Sequence, residues 1–224
     1  MKLEFRPDFI QPQLRALKYK HLYRKLRIVQ NKGSSAIIDG KKAINLNSND
    51  YLGLSRHHSV ISETRRAIDE ISPCSSRLVA GNNSQLNNLE SQLAIHRRTE
   101  SSLVFTSGYT AVIGALSTLA NKETVIFSDE LNHASIVDAC RLSGAKVCVF
   151  RHNDIEHLLE IIQKKAKRRI VVTEGVFSVG GDMSRLNEIC KVAKEFDALM
   201  VVDDAHGDFI YCLLYTSPSP RDLS

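Results

Sequence analysis

The sequence contains no apolar run approaching the ~18 residues that a membrane-spanning helix requires, so a helical membrane span is not expected. Its five cysteines (Cys74, Cys140, Cys148, Cys190, Cys212) are odd in number and never form a CxxC pair. That argues against both a disulfide framework and a zinc site, and for reduced thiols. The eight histidines include no HExxH pattern, and no metal is expected. No GxGxxG occurs, which removes the dinucleotide fingerprint. Gly175 and Gly180 have P-loop spacing, but Gly181-Asp182 stand where Lys-Ser/Thr is required. No charged-then-apolar leader opens the chain. Its basic start carries Glu4 and Asp8 and no serine before Ser34, unlike a transit peptide, so the expected location is cytoplasmic. Proline is missing between Pro73 and Pro218, consistent with one continuous domain over that stretch.

What is present is an ordinary globular composition. With 224 residues, 43% hydrophobic and 25% charged, the chain supports a buried core and is neither disordered nor fibrous. The net charge of +5 is unevenly spread: residues 1–32 hold nine Lys/Arg against Glu4 and Asp8, a net +7, leaving −2 for the rest. Such an arm reads either as a solvated helix face or as a contact for an anionic partner. Without interleaved aromatics or a nucleic-acid motif, no nucleic acid is expected.

Periodicity predicts an amphipathic helix over 13–30, with Leu14, Leu17, Leu22, Leu26 and Val29 on one face. Extended runs at Ala36–Asp39 and Ala43–Leu46 flank a turn at Gly40–Lys41, and helices are expected at 58–71 and 85–97, the latter capped by Ser84. Beyond residue 101, apolar runs at 102–105, 124–127, 146–150, 169–172 and 198–202 alternate with helical stretches near 109–120, 134–143, 155–166 and 185–196. The runs are short, β-branched and apolar on both faces, as strands of a covered parallel sheet are, so the fold class is α/β with flanking helices. His152 and His157 straddle a helix start at Asn153–Asp154 and read as surface residues.

In an open parallel sheet, ligands bind beyond the carboxyl ends of the strands. Polar clusters follow four of the expected strands: Thr106-Ser107-Gly108-Tyr109, Ser128 through His133, Thr173 through Ser178, and Asp203-Asp204-Ala205-His206-Gly207. A Ser-Gly turn opening a helix seats a phosphate on free N–H groups. An acid closing a buried strand can keep a pyridinium nitrogen protonated, and a flat imidazole such as His133 can stack on that ring. Each residue alone has a plainer reading: Ser107-Gly108 as a turn, either Asp as a helix cap, His133 as a loop residue. Their shared location carries the argument.

Asn49-Asp50-Tyr51-Leu52-Gly53-Leu54, Ser107-Gly108-Tyr109, Asn132-His133-Ala134-Ser135, Glu174-Gly175-Val176-Phe177-Ser178 and Asp203-Asp204-Ala205-His206-Gly207 occur in the order seen in α-oxoamine synthases. The sequence resembles that family from its N-terminal helix to Ile210. The resemblance implies a fold-type I pyridoxal 5'-phosphate transferase and a decarboxylative condensation of an acyl thioester, on coenzyme A or an acyl carrier protein, with an amino acid. The Val172–Ser178 wording favours pimeloyl thioester and L-alanine, in biotin biosynthesis; alternatives are aminolevulinate-, ketobutyrate- or sphingoid-forming relatives, or a non-catalytic partner subunit. Carried over by position, Ser107, Gly108 and Tyr109 border the cofactor phosphate, and His133 stacks on the ring. Ser178 and His206 reach its phenolic oxygen, and Asp203 pairs with its nitrogen. His133, Asp203 and His206 are the implied catalytic residues. Arg24 and Asn49, with His133, are the implied substrate contacts.

The family's full-length enzymes imply a homodimer. The implied organisation is a helical arm and small-domain segment at 1–46, a cofactor-binding large domain at 47–210, and a non-native tail at 211–224. In the family the Schiff-base lysine follows the Asp-Asp-Ala-His segment by a few dozen residues. Here no lysine follows Lys194, and a small C-terminal domain is also expected to be missing, so the chain as written is not expected to turn over.

Overall fold

The computed structural model describes residues 9–68 and 75–210. The expected tail at 211–224, the last turn of the helix expected at 58–71, and Cys74 and Cys212 lie outside the described residues. The chain divides into two compact units, Met1–Arg65 and Arg66–Ser224.

In the first unit, helix α1 (Ile10–Tyr19) is followed by a three-stranded antiparallel meander of β1 (Val29–Lys32), β2 (Ser35–Ile38) and β3 (Lys41–Ile44). Gly33 and Gly40 take the left-handed backbone (φ 78° and 79°) that the two tight turns require. The helix expected over 13–30 therefore stops early. His21 adopts φ 55°, and the end of the expected stripe, Val29, pairs with Ile38 instead. Leu22 and Leu26 are exposed, so no helical face held that stretch together, and the ladder claimed its last residues. Helix α2 (His58–Ala67) spans the division between the units.

The second unit is built on a parallel sheet. Its strands are β4 (Thr124–Asp129), β5 (Lys146–Phe150), β6 (Arg168–Glu174) and β7 (Ala198–Asp203), in the order β5-β4-β6-β7. Each is preceded by a helix: α4 (Gly108–Leu119), α5 (Ala134–Leu142), α6 (Ile155–Ile162) and α7 (Leu186–Glu195). Side chains alternate across the sheet. Val125, Phe127 and Val171 pack with Leu158, Ile162, Ile189 and Val192 of α6 and α7 on one face. Ile126, Ile170 and Val172 pack with Leu116, Ile136 and Ala139 of α4 and α5 on the other. All six residues of β4 are buried, which is why that strand reads as a continuous apolar run rather than an alternating one.

Two expectations are corrected here. Helix α3 (Ser84–Arg97) is capped by Asn83, whose side chain accepts from the Leu86 N–H at 2.9 Å, not by Ser84. The run 102–105 is not a strand: the Val104 N–H donates to Glu90 Oε1 (2.8 Å), and its carbonyl accepts from Arg77 Nη1 (3.2 Å). Side chains have taken the backbone groups that a ladder would use. Arg77 binds Glu90 through both nitrogens (2.6 and 2.9 Å), and this ion pair, then the Val104 N–H, hold the Glu90 carboxyl down at about 2.

Candidate active site

The candidate groups lie at the N-terminus of α4 and beyond the carboxyl ends of β4, β6 and β7, each held by its own local device. At the start of α4, Ser107 is the N-cap. Its hydroxyl accepts from the Thr110 N–H, and its own N–H donates to Thr110 Oγ1, a reciprocal capping box. With the Thr110 N–H so used, the N–H groups of Gly108 and Tyr109 have no intrahelical acceptor and face outward at the positive end of the helix. A Cβ on Gly108 would meet nothing within 4 Å, so the approach to those donors is open. The Tyr109 hydroxyl donates to the Asp138 carboxylate, which raises the phenol's pKa and keeps it protonated.

After β4, Asn132 is buried and donates from Nδ2 to Ser128 Oγ and to the Val172 carbonyl, both at 2.9 Å, stitching the β4–α5 loop across β6. The next residue, His133, caps α5: its Nδ1 accepts from the Ser135 N–H at 3.2 Å and lies 2.7 Å from the Ser135 hydroxyl. His133 is exposed, and its ring face is accordingly accessible.

The junction of this shelf is Glu174, the last residue of β6, which is 2% exposed. One carboxylate oxygen accepts from the His133 N–H (2.6 Å) and the other from the Ser178 N–H (3.2 Å). Its strand partner is Asp203. Burial raises the Glu174 pKa, the two N–H donors oppose the rise, and the neighbouring Asp203 charge adds to it. Glu174 stands within a motif, yet its role is not legible in the sequence, because its two partners lie four and 41 residues away.

Asp203 ends β7 half-buried, and its Oδ1 accepts from the Ala205 N–H at 3.1 Å. It shares an open cleft of about 690 Å³ with Gly108, Arg97, Ile136, Val172 and Val201. Asp204, the other member of the acidic pair, places its Oδ2 3.5 Å from Arg97 Nη1. His206 is half-buried in the turn that follows. The second unit therefore brings Gly108 and Asp203 onto one cleft, and ties His133 and Ser178 to the strand partner of Asp203.

Arg24 and Asn49 belong to the first unit and are both exposed; the Tyr51 hydroxyl donates to Asn49 Oδ1 at 3.5 Å. In that motif Asp50 is the fastening residue. It accepts from the Ser55 hydroxyl (2.5 Å) and N–H (3.2 Å), bonds that lower its pKa, around a turn in which Gly53 takes φ 65°.

Residues 41–218 match the family "Aminotransferase class I and II". The chain belongs to this family. Among similar proteins, the 8-amino-7-oxononanoate synthase of Thermoanaerobacter pseudethanolicus is 42% identical over 206 residues, covering 89% of this chain and 52% of that protein. The enzyme of the same name from Geotalea daltonii is 44% identical over 201 residues, covering 87% and 51%. The chain thus spans about half the length of the curated relatives it matches. Among solved structures, a Sphingomonas wittichii serine palmitoyltransferase superposes with a TM-score of 0.79 at 32% identity, covering 88% of this chain and 51% of that one. An 8-amino-7-oxononanoate synthase from Francisella tularensis gives a TM-score of 0.59 at 28% identity, covering 70% and 44%. The fold is that of the fold-type I transferases, as the motif order implied.

Proposed function

We propose that the chain carries the cofactor-binding part of an α-oxoamine synthase that joins a pimeloyl thioester, on coenzyme A or a carrier protein, to L-alanine with loss of carbon dioxide. The reading extends to a cytoplasmic homodimer working in biotin biosynthesis. The observation that carries it is the convergence at the strand ends: an open helix N-terminus and Asp203 on one cleft, with Glu174 joining Asp203's strand to the backbones of His133 and Ser178.

The donor set fits pyridoxal 5'-phosphate, the group carried by solved relatives described as serine palmitoyltransferase with PLP. The N–H groups of Gly108 and Tyr109, beside Ser107, would take the phosphate, since a helix N-terminus seats an anion without a Cβ in the way. Asp203, oriented by the Ala205 N–H, would hold the proton on the pyridine nitrogen. His133, its Nδ1 committed to Ser135, would stack on the ring, and Ser178 and His206 would reach the phenolic oxygen. When bound, this cofactor supplies an electron sink for a carbanion at the amino acid's Cα. Asp203 would serve that sink by keeping the pyridine nitrogen protonated. Arg24 and Asn49 are proposed for the acyl chain and the amino-acid carboxylate.

The test is a titration of the chain with pyridoxal 5'-phosphate, followed by absorbance. Asp203→Asn is expected to weaken binding at least tenfold, and equal affinity would overturn the reading. For the assembled enzyme, carbon dioxide release from carboxyl-labelled L-alanine should depend on pimeloyl-CoA. A second reading, condensation of L-serine with a long-chain acyl thioester, is favoured by the structural likeness to serine palmitoyltransferases. A preference for L-serine and palmitoyl-CoA in the same assay would select it.

A further inference from the structure

The β6–α7 connection, residues 175–184, carries Ser178 and has little regular structure of its own. It is closed by the Phe177 N–H to the Asp182 carbonyl (3.0 Å), the Ser184 N–H to the Gly175 carbonyl (3.0 Å), and a single bridge between Val176 and Met183. Gly180 and Gly181 take φ 103° and 74°, a reversal that side chains resist. From this loop Asp182 reaches to the ends of β4 and β5, where it meets His152.

His152 was expected to be a surface residue, yet its side chain is only 21% exposed and sits against the edge of the Phe177 ring, with centroids 4.4 Å apart and planes at 89°. Its Nδ1 lies 2.9 Å from Asp129 Oδ1 and its Nε2 lies 2.6 Å from Asp182 Oδ2. Both partners are carboxylates, which in their ionised form only accept. Asn153 Nδ2 lies 3.3 Å from both Nε2 and Asp182 Oδ2, and as a donor it serves the carboxylate. Donation from both ring nitrogens to the two carboxylates takes the imidazolium, the form with two N–H groups.

We propose that His152, as the imidazolium, is a positioning residue that clamps the Ser178-bearing loop to the carboxyl ends of β4 and β5. The two carboxylates differ in how they are held. Asp129 is fully buried and also accepts from the N–H groups of Leu131 (2.9 Å) and Asn153 (3.1 Å), so it is a fixed anchor. Asp182 is 44% exposed, and its other side-chain partner is Asn153 Nδ2 at 3.3 Å, so it is the releasable end.

The other charged groups nearby are engaged with partners of their own or with backbone. Glu130 accepts from the His152 N–H at 2.8 Å. Arg151 is engaged with Asp154 at 2.7 Å, and Arg185 with Glu188 at 3.1 Å. His157 accepts from the Arg151 N–H through Nδ1 (2.9 Å). Burial pulls the His152 pKa down, but the hydrogen bonds to Asp129 and Asp182 outweigh it, and the net shift is upward from 6.5. A raised pKa means that the clamp is complete below pH 6.5 and is lost as pH rises through the folded value. A neutral ring turns a lone pair toward one carboxylate, and the exposed Asp182 leaves.

Ser178 lies one residue beyond Phe177 and donates its N–H to Glu174, so the loop is fastened from both sides. The assignment of Ser178 to the cofactor rests on the proposed function; the clamp does not, and the experiment reads the two separately. The full chain and the variants Asp182→Asn and His152→Gln are compared by the NMR titration of the histidine rings and by amide-exchange protection of residues 176–184 at pH 6 and pH 8.5. His152 is expected to titrate above 6.5 in the parent and lower in Asp182→Asn. Parental protection should fall at least fivefold between the two pH values. In Asp182→Asn, at the exposed end of the clamp, protection should be low at both and lose its pH dependence. A His152 titration at or below 6.5, or protection within twofold of the parent in both variants, would overturn the clamp. Pyridoxal 5'-phosphate affinity is then measured on the same samples. A loosened loop with weakened affinity supports the clamp and the placement of Ser178, whereas a loosened loop with unchanged affinity supports the clamp and removes Ser178 from the cofactor.

Discussion

Gly175 and Gly207 approach the same atom from two elements, and this makes a quantitative test of the acidic turn. A Cβ built on Gly175 would lie 2.3 Å from Asp204 Oδ1 and one on Gly207 would lie 2.2 Å from it, where ordinary contact begins at 3.4 Å. The oxygen would have to retreat by about 1 Å, and it cannot do so freely. The Asp204 side chain is 10% exposed, and its other oxygen faces Arg97 Nη1 at 3.5 Å, so a retreat strains that ion pair. Neither glycine has a positive φ, which leaves sterics as the cause and backbone strain out of it. Overpacking of this kind costs about 1–3 kcal/mol, less ~0.4–1 kcal/mol returned by restricting the unfolded chain. Gly175→Ala and Gly207→Ala should each lower stability by about 1–2 kcal/mol on this reckoning. Because both displace one oxygen, the double variant should fall short of the sum by about 1 kcal/mol or more. In an Asp204→Ala background, the cost of Gly175→Ala should drop below about 0.5 kcal/mol. Urea denaturation at constant m reads all four quantities. A Gly175→Ala cost that persists unchanged without the Asp204 carboxylate would refute the reasoning.

The same substitution at Gly108 should behave oppositely. With open space at its Cβ, Gly108→Ala should leave the urea midpoint unchanged or raise stability by up to ~1 kcal/mol, while weakening pyridoxal 5'-phosphate binding at least tenfold; undiminished binding would refute the phosphate seat. Acid should expose the Arg77–Glu90 pair. Glu90 titrates near 4.5 when unfolded and near 2 when folded, so its contribution is full above about pH 4.5 and is lost as pH falls toward 2. Replacing Glu90 with Gln should flatten the fall of the urea midpoint across that window, and an unaltered acid profile would show that the pair contributes nothing there.

The parallel sheet was legible because its information is local. Ile170-Val171-Val172 and Val125-Ile126-Phe127 are β-branched or aromatic and apolar on both faces, and each run ends in polar residues where a strand meets a loop. Helix starts such as Ser107-Gly108 and Asn153-Asp154 are read the same way, since the cap bonds reach only three residues on, although at α3 the cap falls on Asn83 and not on the expected Ser84. Three of the polar clusters do follow strands, β4, β6 and β7, and a parallel topology places such ends on one side, whereas Thr106-Ser107-Gly108-Tyr109 opens α4 after a run that is not a strand.

Long-range pairing carried no such signal. Residues 102–105 have a strand's composition, but Glu90 and Arg77 hold the backbone groups of Val104. Leu22 and Leu26 have a helix's spacing, but nothing buries them, and β2 claims Val29. Glu174 and His152 show the same limit at the site itself. Their roles come from partners up to 41 and 30 residues distant, whose proximity exists only once β4, β5 and β6 are side by side. Local patterning sets which segments become strands and helices. The pairing of backbone groups and the placement of buried charge are settled by distances that only the packed sheet creates.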